Sequence, residues 1–388
     1  DTYPVMRRIF LFLTASVLLG SCTNAPGGNG VELLDDEAFR TGIDGKQTGL
    51  YTLCNDNGMT VQITNYGARI VALWVPSADG GFRDVVWGFE KIGDYIASPD
   101  NYCGPIVGRY GNRIGKGRFT LDGREYRLTI NNGENHLHGG SGGFECRVWE
   151  AEEFTSPEGD PALALSYRSP DGEEGYPGNL DITVTYTLTR NNELKIDYSA
   201  TTDAPTVLNP TSHVYYNLHG TTARSTDSHL LTIHASRFTP TDAGLIPTGE
   251  LLEVEGTPLD FRTPHTIGER IDDRSYEPLR FGNGYDHNWV LDNYRPHEIA
   301  PAAELYEPAT GIRMRILTDQ PGLQFYAGQG MDGRETGKRG DRHAFRTGIA
   351  LETQNFPDAP NHPNFPSAVL RPGEVYSQHT VYAFETDK

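Results

Sequence analysis

From Leu180 to Leu188 the chain alternates without a break. Leu180, Ile182, Val184, Tyr186 and Leu188 fall on one side of an extended backbone, and Asp181, Thr183, Thr185 and Thr187 on the other. Successive side chains of a strand point to opposite faces, so this pattern specifies a strand buried on one face only. Asn191-Asn192 supplies a turn, after which Leu194, Ile196 and Tyr198 resume the alternation, as an antiparallel hairpin requires. Similar runs recur at 68–75, 119–130, 162–167, 230–233 and 375–384, set apart by turn signals such as Asp122-Gly123, Asn132-Gly133 and Asp171-Gly172. Long helical patterns are absent, while Gly and Pro are abundant, at 44 and 25 of 388 residues. The chain is therefore expected to be all-β: one large antiparallel β-sandwich with few short helices, its concave face open to a ligand. Nothing in the middle reads as a linker or a short-period repeat, so residues 35–388 are taken as one domain.

The formal net charge is −19, with acidic residues spread along the sequence. Nucleic-acid binding depends on clustered Lys and Arg, so that class of partner is excluded, and a neutral ligand fits better than a polyanion. Besides Cys22 there are three cysteines, Cys54, Cys103 and Cys146. An odd number leaves at least one thiol outside any intrachain disulfide, and their spacing is not that of a zinc site. No strand-linked GxGxxG offers a nicotinamide cofactor a seat. Ahead of the domain, Met6-Arg7-Arg8, an apolar run over 9–18 and Leu19-Gly20-Ser21-Cys22 read as a secretory signal. The apolar run is shorter than the ~20 residues a membrane-spanning helix needs. The small residues before the cysteine resemble a bacterial lipobox, in which the thiol carries the lipid. Residues 1–21 are thus expected to be a signal peptide, with 1–5 a start-site artefact ahead of Met6. Residues 22–34 would be the lipidated Cys22 and a flexible Asn-, Gly- and Pro-rich tether. An exported bacterial lipoprotein follows, touching the membrane only through that lipid. It is expected to face the periplasm, because no acidic run follows Cys22.

Five segments are unusually dense in polar side chains for a β-protein: Gly108 to Arg113, Asn135 to Gly140, Asn209 to His213, Tyr285 to Asn288, and Leu351 to Asn355. Their Arg, His, Asp, Glu, Asn and Gln side chains offer the paired donors and acceptors that recognise hydroxyl groups. In their order and detail these segments resemble those of the aldose 1-epimerase (galactose mutarotase) family. The matching motifs are GRYGNRIGKG from Gly108, Asn135 to Gly140, Ser169 to Gly178, Asn209 to His213, Gly284 to His287, Pro321 to Tyr326 and Leu351 to Gln354. The resemblance spans about residues 45 to 385. It implies the supersandwich fold of that family, no cofactor and no catalytic metal, and a small-molecule sugar as partner. It also implies that Glu352 is the general base and His213 the general acid. Asn112, Arg113, His138 and Asp286 would hold the sugar hydroxyls, with Gln324 at the rim. The chain departs from the family pattern at Tyr110-Gly111 and Glu145-Cys146.

The chemistry makes independent sense of these residue types. Interconverting the α and β anomers of galactose or glucose requires opening the ring. A base takes the C1 hydroxyl proton, an acid protonates the ring oxygen, and the C1–C2 bond turns before closure. One carboxylate and one imidazole suffice. Two other readings stay open at this stage: a non-catalytic glycan-binding lipoprotein, and an epimerase for another sugar such as a hexose 6-phosphate. A glycoside hydrolase, which typically uses two carboxylates, fits the Glu–His pairing less well. Bland roles are weighed beside these. Arg109, His136 and His287 are expected to be structural, and Tyr215, Tyr216 and Phe325 to belong to the core. His136-x-His138 lacks a matching third metal ligand. A monomer or weak dimer is expected.

Overall fold

The computed structural model describes residues 30–221 and 223–387, so the expected signal peptide and Cys22 lie outside the described residues. Strands dominate the regular structure of the described chain, which has two short α-helices, Ile92–Ala97 and Glu277–Phe281. An outer sheet of nine strands runs in the order Glu150–Thr155, Pro161–Ser169, Leu180–Leu188, Glu193–Thr202, Tyr376–Thr386, Ile312–Thr318, Ala300–Glu307, Leu230–Ile233 and His265–Thr266. An inner sheet of six runs Tyr215–Tyr216, Ile349–Gln354, Gly322–Tyr326, Asp286–Val290, Arg237–Thr239 and Leu252–Glu253. A third sheet pairs four strands between Leu50 and Asp84. The ladders of all three sheets are antiparallel.

The alternation over Leu180–Leu188 is the alternation of the outer sheet. Leu180, Ile182, Val184, Tyr186 and Leu188 are buried, whereas Asp181 faces solvent and pairs with Arg168 at 3.1 Å. The buried set meets Leu323, Phe325, Leu351 and Trp289 of the inner sheet and Val61, Ile63 and Leu73 of the third sheet in one continuous core. Tyr186 buries its ring there because its hydroxyl finds a partner, donating to the Ala68 carbonyl at 2.7 Å. The run at 119–130 proves to be a hairpin, Arg118–Leu121 with Arg124–Arg127. Asp122 and Gly123 both take positive φ at its turn, as a two-residue type I′ connection requires. Cys54, Cys103 and Cys146 form no disulfide with one another.

The central strands of the inner sheet are buried on both faces, and this positions the site. Along Ile349–Gln354, Leu351 enters the apolar core while Glu352, its neighbour in sequence, points to the opposite face. Register does the rest. Gln324 lies directly across from Glu352, Asn288 from Gln324, and Asp286 from Tyr326. One face of three adjacent strands is therefore polar, and the loops from the other segments close over it.

The outer sheet's two faces should respond differently to substitution. Ile196→Ala, at a fully buried position, should cost about 2–5 kcal/mol of unfolding free energy in urea titration. Asp181→Ser should change it by no more than about 0.5 kcal/mol. Equal effects would mean that the buried face is misassigned.

Candidate active site

The polar face of the inner sheet floors a cavity of about 390 Å³, within the usual range for small-molecule sites. Glu352 and Asp286 reach it from the floor, His213, His138, Arg113 and Asn112 from the loops above. His213 sits between the short strands Thr211–Ser212 and Tyr215–Tyr216. Its backbone is held on both sides: its N–H donates to the Pro105 carbonyl at 2.8 Å, and its carbonyl accepts from the Gly104 N–H at 2.9 Å. Its ring Nε2 lies 3.6 Å from Glu352 Oε1, beyond hydrogen-bond range, so both groups face the cavity individually.

Asn112 and His138 position each other. The Asn112 N–H donates to His138 Nδ1 at 3.1 Å, and the His138 N–H donates back to the Asn112 carbonyl at 3.0 Å. Because Nδ1 accepts, the neutral ring carries its proton on Nε2, which makes that atom a donor to a ligand oxygen. His138, His213 and Glu352 have donor atoms close enough to hold a metal, but a protonated Nε2 is no metal ligand, so the hydrogen bonding favours a hydroxyl there. The next residue, Gly139, has φ of +94°, and a Cβ on it would stand 1.8 Å from the Gly108 carbonyl oxygen. Only glycine lets the His138 loop pack so closely on the arginine segment. Arg113 is fixed by Nε, which donates to Asn132 Oδ1 at 3.2 Å, and its NH2 lies 3.7 Å from Asp286 Oδ2. Asp286 Oδ1 accepts from Gln324 Nε2 at 2.6 Å.

Burial governs the electrostatics. It raises the Glu352 carboxyl well above the ordinary carboxylate value, with Asp286 adding to the effect and Arg113 opposing it. It lowers His213 to about 4, against the weaker opposing pull of the Tyr102 backbone and the Asp286 charge. His138 falls well below its ordinary value, through burial first and then the neighbouring His213 and Arg113. The low-dielectric wall thus favours one proton on the carboxyl and two neutral imidazoles. Moving that proton to His213 creates an ion pair across the cavity.

All of the catalytic and hydroxyl-binding residues expected from sequence come together here, with one change of place. Gln324 is not at the rim. It is 3% exposed and lies behind Asp286, because its register opposite Glu352 sets it in the middle of the sheet. Tyr216 and Phe325 are core residues as expected, but Tyr215 also lines the cavity wall. Asp100, Tyr102 and Met331 line it too. They were not legible beforehand, since a single polar or apolar residue in a loop carries no periodic signal. Arg109 is structural, its guanidinium donating to Ser169, Pro170, Pro177 and Thr206 in the interior. His136 is locked between the Thr129 carbonyl and the Tyr176 hydroxyl, both at 2.6 Å, and so forms no metal pair with His138. His287 is held by the Asp286 N–H and the Pro278 carbonyl. Neither Tyr110-Gly111 nor Glu145-Cys146 reaches the cavity wall.

A sequence profile for the family described as Aldose 1-epimerase matches residues 49–383. The chain belongs to the aldose 1-epimerase family. It is 41% identical to the galactose mutarotase of Sus scrofa over 326 residues, covering 84% of this chain and 91% of that protein. Against the aldose 1-epimerase of Escherichia coli it is 37% identical over 350 residues, 88% of this chain and 96% of the other. Among solved structures, an aldose epimerase homologue from C. elegans superposes with a TM-score of 0.79 at 31% identity, over 88% of this chain and 100% of that one. A galactose 1-epimerase from Lactobacillus acidophilus gives 0.78 at 28% identity, over 90% and 97%. The galactose mutarotase-like fold expected from the motifs is the fold observed.

Buried imidazoles give this member of the family a definite acid response. His136, His213, His287 and His343 are all lowered to about 4, chiefly by burial, and burial also lowers His138 well below its ordinary value. In the unfolded chain each returns to about 6.5. The unfolded state therefore binds more protons in this window, and stability present above about pH 6.5 is lost as pH falls towards 4. Urea midpoints should drop across that window, and the His213→Gln variant should drop less steeply. A His213→Gln variant whose midpoint falls as steeply as that of the wild type would show that this ring is not buried neutral.

Proposed function

We propose that this chain is an aldose 1-epimerase acting on free aldohexoses such as galactose and glucose. The observation that carries the reading is the pairing of Glu352 and His213, 3.6 Å apart on the wall of a cavity furnished with hydroxyl-binding side chains. Glu352 as carboxylate takes the C1 hydroxyl proton and His213 as imidazolium protonates the ring oxygen. The bond between C1 and the ring oxygen breaks as the C1 carbonyl forms. After rotation about C1–C2, the ring oxygen attacks the other carbonyl face and both protons return. Ring opening converts the buried ion pair to the neutral pair that the wall favours, so burial assists the charge-consuming step. His138 Nε2–H, Asn112, Arg113 and Asp286 hold the hydroxyls, and Gln324 holds Asp286 in place.

The acidic wall supports a neutral sugar over a hexose 6-phosphate. Asp100, Asp286 and Glu352 line it, and among its described residues Arg113 is the only Lys or Arg, already engaged by Asn132 and Asp286. A binding protein would have no need of the acid–base pair. We further infer, from Met6 to Cys22, export with a lipid on Cys22 and membrane anchoring on the periplasmic side. Expressed in a bacterial host, the protein should sediment with membranes, and Cys22→Ser should shift it to the soluble fraction. Sedimentation unchanged by that substitution would refute the anchor.

Polarimetry on freshly dissolved α-D-galactose and α-D-glucose tests the activity. Wild-type protein should speed the approach to anomeric equilibrium, and Glu352→Gln and His213→Asn should each lose about 10²–10⁴-fold in kcat. Sugar affinity should survive in Glu352→Gln. Since the pair acts with one proton, carboxylate ionised and imidazole protonated, kcat/KM should fall on both sides: on the acid side as the lowered His213 takes up a second proton towards about 4, and on the alkaline side as the last proton leaves the pair above the ordinary carboxylate range because Glu352 is raised. A rate no better than buffer on these and other common aldoses would sink the reading.

A further inference from the structure

A second cavity, of about 420 Å³, shares no wall residue with the first. It opens where the chain leaves the Glu352 strand at Asn355, between the loop at Tyr294 and the start of the Tyr376–Thr386 strand. Asp319 stands on its wall and is 3% exposed. One carboxylate oxygen, Oδ1, accepts from the His379 N–H at 2.9 Å and from Gln320 Nε2 at 3.2 Å. The other, Oδ2, is buried with no hydrogen-bond partner. Glu352 stands in the same relation to the catalytic cavity: 1% exposed, with Oε2 unpartnered. An unpaired buried acceptor costs about 1–3 kcal/mol, more for a charged one, so a wall that keeps one is arranged for a donor that comes from outside.

The rest of the wall says which donor. Tyr294 and Tyr376 contribute rings, and Pro296, Pro321 and Pro366 contribute rigid apolar surface. The phenol of Tyr376 is already used, donating to Gln378 Oε1 at 2.6 Å, so its ring is what remains to offer. Gln320, Ser367 and Ser377 each combine donor and acceptor. No Lys or Arg is among the wall residues, which disfavours a phosphate or carboxylate ligand. An ammonium ion only donates and would leave the amide and hydroxyl donors unanswered. A pyranose answers all of them, with hydroxyls that donate to Asp319 and accept from Gln320 and the serines, and an apolar C–H face for the tyrosine rings.

We propose that this cavity is a second, non-catalytic saccharide site that binds a neutral pyranose unit against Asp319, Tyr294 and Tyr376. The imidazole nearest the buried carboxylate, that of His379, does not line this cavity and is held by Asp197 Oδ1 at 2.6 Å, and His297 is on the exposed margin. The site therefore binds without turning its ligand over. This stands apart from the activity assigned to the first cavity, since it requires only binding.

The test uses methyl β-D-galactopyranoside, whose locked anomeric centre cannot mutarotate, titrated into ²H,¹⁵N-labelled protein and followed by amide shifts. Two separate groups of shifts are expected, one around His213 and Glu352 and one around Gln320 and Ser377. Asp319→Asn should weaken the second group at least tenfold while leaving the first group and the mutarotation rate unchanged. Tyr294→Ala, at a partly exposed position, should do the same and guards against a folding defect in the first variant. Shifts confined to the catalytic cavity would overturn the proposal. So would a second group indifferent to both substitutions, or one produced by tetramethylammonium chloride and not by the glycoside. Polarimetry reports on the first cavity alone, so failure of one reading is distinguishable from failure of the other.

Discussion

The backbone register among three strands, Asp286–Val290, Gly322–Tyr326 and Ile349–Gln354, is the constraint on which the site depends. Antiparallel hydrogen bonding places Gln324 across from Glu352 and Asn288 across from Gln324. Because side chains alternate, the same bonds that put Leu323, Phe325 and Leu351 into the core aim Gln324 and Glu352 the other way. A slip of one residue in any of these ladders would send a carboxylate into the core and a large hydrophobe into the cavity. Packing of the sandwich and chemistry of the site are therefore enforced by one set of bonds, and neither can drift without the other.

That arrangement puts ionisable groups where water is scarce, and the loops decide how each is treated. Asn112 fixes the tautomer of His138; Asn132 and Asp286 hold Arg113; Gln324 holds Asp286. Glu352 and His213 are left without direct partners in each other, and both are pushed by burial towards their neutral forms. A carboxyl and an imidazole poised to exchange one proton can act as acid and base in turn. Preorganised donors on a buried wall are also worth more than the same groups in water. The second cavity shows a related device without the imidazole, a buried carboxylate with one oxygen committed and one unpartnered.

Several features were legible because a local rule generates them. Leu180–Leu188 reads as a one-sided strand from its period alone, and Asp122-Gly123 as a turn from the φ values it permits. The polar segments at 108–113, 135–140, 209–213, 285–288 and 351–355 are conspicuous because buried β-proteins seldom concentrate such side chains. Where reading failed, the deciding contact was non-local. Gln324 reads as a rim residue until its pairing with Glu352 and Asp286 is known. Tyr215 reads as core, and it is both core-packed and a wall of the cavity, a distinction that burial propensity does not make. Asp100, Tyr102 and Met331 have no periodic or motif context at all.

The amino-acid sequence by itself determined the strand pattern, the all-β class, the family and the candidates for an acid–base pair, because these follow from side-chain alternation and from short contiguous motifs. Tertiary structure decided which of those motifs converge, which histidines face the cavity and which are locked in the interior, and which way the buried groups shift. Those outcomes depend on hydrogen bonds and desolvation between residues far apart in the chain, such as the Tyr110 hydroxyl donating to the Phe356 carbonyl 246 positions away. No local pattern records such a pairing; the closed sandwich alone brings its two ends together.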